Sequence, residues 1–146
     1  MNLQHYRLAY WRSADQDLGY RRFSDINTLI GVRVERPHVF EATHSRIVEW
    51  LKNGTLDGVR VDHPDGLRDP EQYFKRLRRH APDAWIIGEK ILQPEEALRA
   101  TWPIEGTTGY DFLNICNRLL VHDEGLRELT YIYAAFAGEP VDFESI

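Results

Sequence analysis

A chain of 146 residues has room for one ordinary domain or for part of a larger one, since a complete β/α barrel takes about 250. Its 42% hydrophobic content supplies a core, and 28% charged residues with a mean hydropathy of -0.49 point to a soluble fold rather than a disordered chain. A net charge of -5 and a pI near 5.7 speak against a nucleic-acid surface, so the Arg76, Arg78, Arg79 cluster reads as the solvated end of a helix. Cys116 is the only cysteine, which excludes an internal disulfide and a cysteine-based zinc site. No apolar run approaches the roughly 20 residues that span a bilayer, and Met1 to Tyr10 lacks a basic stretch followed by an apolar one. A cytoplasmic protein without membrane or nucleic-acid partners, cofactor or metal is expected.

Taken in chain order, the first 35 residues hold Tyr6, Tyr10, Trp11, Tyr20 and Phe23 with little helical period, and predict a loop-rich entry. From Pro37 the pattern changes. Val39, Phe40, Thr43, Ile47, Val48, Trp50 and Leu51 recur at three-to-four-residue spacing, and Pro37 and Asn53-Gly54 bracket a helix. Gly58 to Val61 is short, β-branched and bounded by glycine and His-Pro, hence a buried strand. Asp69-Pro70, with Tyr73, Phe74 and Leu77 behind it, opens a second helix that runs out between His80 and Asp83. Trp85 to Gly88 reads as another buried strand, Pro94 to Arg99 as a third helix, and Asp111 to Ala137 as a longer helical tract broken around Asp123 to Gly125.

Strand, helix, strand is a crossover unit, which implies neighbouring parallel strands covered on both faces. The class is therefore α/β, and functional groups in such folds lie beyond the carboxyl ends of the strands. Two carboxylates fall there. Asp62 follows the first strand, and Glu89, 27 residues further on, follows the second. Residues two apart on a strand share a face, so Arg60 and Asp62 point together. A guanidinium beside Asp62 favours the ionised form that a nucleophile needs, while apolar surroundings and a nearby anion at Glu89 favour the protonated form of a general acid. With strands roughly 4.8 Å apart, the carboxyl groups could be about 5 to 5.5 Å apart, the spacing of a retaining glycosidase. Two other readings stand beside this one. Arg60 and Asp62 could be a structural ion pair with Glu89 a strand cap, or Asp62, His63 and Asp65 could bind a metal.

The stretch Gly58-Val59-Arg60-Val61-Asp62-His63-Pro64-Asp65-Gly66-Leu67, with Ile87-Gly88-Glu89-Lys90-Ile91-Leu92 and Gly106-Thr107-Thr108-Gly109-Tyr110-Asp111-Phe112, resembles the maltooligosyl trehalose synthases, a family of the α-amylase superfamily (glycoside hydrolase family 13). The run from Tyr20 to Asn27 resembles them too, with Ser24 where the family usually has an aromatic residue. The likeness extends from about Tyr6 to the end of the chain. It implies a partial (β/α)8 barrel over residues 1–146, a central slice holding strands four and five with their helices. It also implies an isomerase of trehalose biosynthesis, which converts the reducing-end α-1,4 linkage of a maltooligosaccharide or α-1,4-glucan into an α,α-1,1 linkage. By that resemblance Asp62 is the nucleophile, Glu89 the general acid/base and Arg60 the arginine that keeps the nucleophile charged. His63 and Lys90 would line the sugar site, and Tyr110 and Asp111 would shape the pocket that retains the released glucose. Trp11 and Trp102 are read first as core residues and second as platforms for sugar rings.

The departures are equally specific. The superfamily's third carboxylate and its early Asp-x-x-x-x-Asn-His motif have no counterpart, His5 and His44 lacking the early context. His122-Asp123 comes too soon after Glu89 for the late His-Asp pair and reads as a helix break. The alternatives to the synthase are an α-glucan hydrolase and a non-catalytic partial-barrel remnant that self-associates through unpaired strand edges.

Overall fold

The computed structural model describes residues 7–19, 26 and 29–138, and the chain divides into two units, the first ending at Thr108 and the second beginning at Gly109. Tyr6, Tyr20, Phe23 and, apart from Ile26, the run from Tyr20 to Asn27 lie outside the described residues. In the entry segment a 3-10 turn at Trp11–Ser13 leads into a single turn of helix, α1 (Ala14–Asp17), and the other described residues before 34 are irregular, as the missing period predicts.

Helix α2 (Pro37–Lys52) starts on Pro37, whose missing N–H would have no partner in a first turn anyway, and stops at Asn53, with Gly54 beyond it at φ 74. Its apolar stripe is less buried than the pattern predicts. Phe40 alone of the helix is fully covered, His44 stacks on it at 4.1 Å, and Trp50 stays exposed. Strand β1 (Gly58–Val61) and strand β2 (Trp85–Gly88) occupy the predicted residues and flank helix α3 (Pro70–His80). The start of α3 is fixed by the Asp69 side chain, which accepts the Gln72 N–H at 2.9 Å, and Phe74 and Leu77, one turn apart, enter the core. A third strand, β3 (Gly106–Thr107), gives a parallel sheet of order β1-β2-β3 with Gly58 opposite Trp85, Val61 opposite Gly88 and Gly88 opposite Thr107. Two residues are too few to leave a period, so β3 has no sequence signal. Gly58 is required by close approach, since a Cβ there would lie 2.2 Å from the Trp85 carbonyl oxygen.

Three expectations need correction. The helix read from Pro94 to Arg99 is absent: Glu95 takes φ 69, outside helical backbone, and the Glu96 carboxylate folds back to accept the Gln93 N–H at 3.0 Å. The arginine cluster is not simply solvated. Arg76 donates to the Val34 and Glu35 carbonyls, and Arg78 forks onto the Pro82, Ala84 and Pro103 carbonyls and the Glu105 carboxylate. Helix α3 is thereby tied to the ends of two strands and to the segment before α2. Finally, among the described residues of this unit, the sheet is covered on one face only. Ile86 and Gly88 are buried beneath Phe74 and Trp102, with Val59 and Val61 packed alongside, whereas Trp85 is 62% exposed and Arg60 projects from the open face.

In the second unit, helices α4 (Tyr110–Leu119) and α5 (Asp123–Ala137) realise the predicted tract, with the break just ahead of the expected residues. His122 makes it, its Nδ1 accepting the Gly125 N–H at 3.1 Å as the N-cap of α5. Gly138 ends α5 at φ 77. Among the described residues no helix is long and apolar enough to cross a membrane.

Candidate active site

The open face of the sheet carries the expected pair. Val61 lies opposite Gly88, so the next residues along the two chains, Asp62 and Glu89, leave the sheet side by side, and the Glu89 N–H continues the ladder by donating to the Val61 carbonyl at 2.8 Å. Arg60 meets Asp62 through two contacts, Nε to Oδ1 at 2.7 Å and Nη2 to Oδ2 at 3.2 Å, a fork-to-fork geometry that fixes the plane of the carboxylate. Both side chains are more than half exposed, so water screens the pair and its worth to folding is small. Strand alternation puts Arg60, Asp62, Ile87 and Glu89 on the same face, opposite the one that α3 covers.

Beyond Asp62 the chain reverses sharply. His63 adopts φ 48 and ψ 48, the left-handed region, and leads into a 3-10 turn at Pro64–Gly66 with Pro64 buried. Such a conformation costs a non-glycine residue about 1 to 3 kcal/mol. It aims the His63 N–H at the Glu89 carboxylate, which accepts it at 3.1 Å. Glu89 is half-buried, and a backbone N–H rather than an apolar wall holds its carboxylate. The imidazole of His63 folds over Gly66: a Cβ on residue 66 would lie 2.3 Å from Cδ2 and 2.7 Å from Nε2. Glycine in the His-Pro-Asp-Gly motif thus leaves room for the histidine ring in this position.

Lys90 is drawn elsewhere. Its Nζ lies 3.0 Å from Asp65 and 3.0 Å from Glu96, and these two carboxylates, Asp65 before Glu96, raise its pKa. The same contact, after the Gln93 N–H, holds the Glu96 carboxyl below the usual range. Asp65, Lys90, Glu96, Arg68, Arg99 and Trp102 are among the residues lining a cleft of about 600 Å³, whose lining includes neither Asp62 nor Glu89. With Asp65 engaged by Lys90, the metal reading of Asp62, His63 and Asp65 has no support: among the described residues no three His, Cys, Asp or Glu side chains gather as a ligand set.

The structure therefore brings together Arg60, Asp62, His63 and Glu89, and places Lys90 at their margin. Tyr110 and Asp111 belong to the second unit, in the first turn of α4. Trp102 is a core residue, packed on Phe74 with ring centroids 5.0 Å apart, while Trp11 is exposed with the Arg12 guanidinium 5.1 Å over its ring. Sequence reasoning missed Glu96 as a partner of Lys90 and Asp65 as more than a metal candidate, because contacts between separate turns leave no periodic trace.

No family model matches the sequence. Two Mycobacterium tuberculosis proteins, of strains CDC 1551 / Oshkosh and ATCC 25618 / H37Rv, provisionally assigned as maltooligosyl trehalose synthase, are 48% identical over 128 residues, which is 87% of this chain. The chain spans 16% of the length of these relatives. The solved maltooligosyltrehalose synthase of Arthrobacter ramosus is 49% identical and superimposes with a TM-score of 0.83 over 98% of this chain and 19% of that one. A second solved maltooligosyl trehalose synthase is 46% identical over 84% of this chain and 16% of its own, with a TM-score of 0.72. Sequence identity near one half, together with the same backbone course, makes this chain a homologue of one segment, about a sixth to a fifth of the whole, of the maltooligosyl trehalose synthases.

Proposed function

We propose that this chain carries the nucleophile and the general acid/base of an intramolecular transglycosylation that turns the reducing-end α-1,4 linkage of a maltooligosaccharide into an α,α-1,1 linkage. The observation that carries the reading is the β1–β2 register, which sets Asp62 and Glu89 side by side on the open face with Arg60 gripping Asp62. In this reading the sheet is part of a (β/α)8 barrel of the α-amylase type. Helix α3 lies outside, and the face with Arg60, Asp62 and Glu89 turns toward the barrel interior.

Glu89 donates its proton to the glycosidic oxygen as the bond to the anomeric carbon breaks. An Asp62 oxygen closes on that carbon from the other side to form a glycosyl ester. The released glucose turns, Glu89 takes the proton of its anomeric hydroxyl, and that oxygen displaces Asp62. Each carboxylate ends in the state in which it began. Water in place of glucose gives hydrolysis, so retention of the glucose and exclusion of water decide the product. His63 is assigned to the walls of that sugar site, in a cytoplasmic enzyme. A second reading, self-association of the chain, draws on β1 and β3, each of which leaves one edge of the described sheet without a strand neighbour.

The test is segment exchange: this chain replaces the matching segment of the Arthrobacter ramosus synthase, and the chimera is given maltopentaose. A non-reducing product ending in trehalose supports the proposal. A folded chimera that makes only glucose and shorter maltooligosaccharides supports the hydrolase instead, and one without turnover overturns both. In the active chimera Glu89→Gln is expected to lose about 10²- to 10⁴-fold in kcat, and Asp62→Asn most of the activity. The 146-residue chain alone is expected to show no measurable turnover, because it spans 16% of its relatives' length and positioning by the rest supplies much of the rate.

A further inference from the structure

We propose that Lys90 is a positioning residue, a strut that locks the turn after β1 to the turn after β2 and so holds Glu89 beside Asp62. This deepens, and rests on, the carboxylate roles proposed above.

The regular ladder ends at Val61 and Gly88, one residue short of the carboxylates. Three ties cross between the two exits. The Glu89 N–H donates to the Val61 carbonyl at 2.8 Å, the His63 N–H donates to the Glu89 carboxylate at 3.1 Å, and Lys90 Nζ reaches Asp65 at 3.0 Å. The second tie depends on the third. His63 presents its N–H to Glu89 only from its left-handed conformation, which persists where the surroundings over-determine it. Buried Pro64 fixes one side of that turn, and Lys90 pins Asp65, two residues beyond His63. At the other end Lys90 grips Glu96, whose own turn is closed by the Gln93 N–H. The ammonium thus spans two turns that follow different strands.

Lys90 is 17% exposed, so these ion pairs are less screened than the Arg60 contact. Two of its three donors serve carboxylates of the protein. The cleft that Lys90 and Asp65 line does not include Asp62 or Glu89.

Two experiments test the strut, one free of activity. In the 146-residue chain, Lys90→Met and Asp65→Asn are each expected to speed amide exchange at His63 at least tenfold by NMR while leaving Ile86, in the middle of β2, unchanged. Unaltered exchange at His63 in both variants overturns the proposal whatever the enzyme does. In the segment-exchanged synthase, Lys90→Met is expected to lower kcat ten- to a hundredfold with KM within threefold. Lys90→Arg, which keeps the cation between Asp65 and Glu96, is expected to recover most of that loss. A raised KM at unchanged kcat, with no recovery in the arginine variant, would show direct sugar binding and overturn the strut. An inactive unsubstituted chimera counts against the proposed function and leaves the exchange result to decide on Lys90.

Discussion

Truncating Phe74 tests the link between the core and the site. The ring is completely buried, packs on Trp102 at 5.0 Å and on Tyr73 at 5.7 Å, and its Cζ lies 3.4 Å from where a Gly88 Cβ would stand. It supports the residue that precedes Glu89. Phe→Ala in a core typically costs about 3 to 5 kcal/mol. Here the upper half of that range is expected, because a strand backbone and an indole ring bound the cavity and neither collapses easily. Phe74→Leu keeps most of the volume and is expected to cost about 1.5 to 2.5 kcal/mol, including the lost aromatic pairs. The assay is urea unfolding followed by tryptophan emission, in which buried Trp102 supplies the blue-shifted component over exposed Trp11, Trp50 and Trp85. With a slope of about 2 kcal/mol/M, Phe74→Ala lowers the midpoint by about 2 M and Phe74→Leu by about 1 M. Equal midpoints for the two variants, or an alanine variant within about 0.3 M of the parent, would refute the packing argument.

Arg60→Gln is expected to change stability by less than about 0.5 kcal/mol, since the pair with Asp62 is more than half exposed, while activity of the segment-exchanged synthase falls; a large shift in the urea midpoint would make the pair structural. Gly66→Ala is expected to displace the His63 ring, seen as changed imidazole proton shifts, at a stability cost below about 1 kcal/mol because an exposed side chain can swing aside; an unmoved ring would contradict the contact. His44 has its pKa lowered by burial, only partly opposed by the Phe40 carbonyl. Its neutral form is therefore favoured on folding, and the unfolded chain binds the proton more readily. Stability from His44 is complete above pH 6.5 and declines as pH falls from there toward the lowered folded value. His44→Gln is expected to flatten the fall in urea midpoint over that window, and an unchanged slope would sink the assignment.

Much of the site was legible in one dimension. The two four-residue strands, the parallel crossover between them and the Arg60–Asp62 pairing follow from local chemistry: a short β-branched run cannot make a helix, and side chains two apart on a strand share a face. Once two parallel strands are neighbours, their first exit residues are neighbours too, so Asp62 and Glu89 could be paired by position. The break at His122 was likewise visible, since an N-cap needs only local groups.

Tertiary structure alone decided the rest. Strand β3, the fork of Arg78 onto three carbonyls and Glu105, and the attachment of Lys90 to Asp65 and Glu96 join residues with no periodic relation. The false helix near Pro94 failed because Glu96 found better partners across a turn than along a helix. The arginines at the end of α3 read as solvated because sequence records charge but not the carbonyls that receive it. The sequence by itself therefore determined which carboxylates stand at the strand ends. Folding determined what holds them there, because register is a local property of strands, whereas the turns beyond the last ladder pair are fixed only by side chains that meet in space.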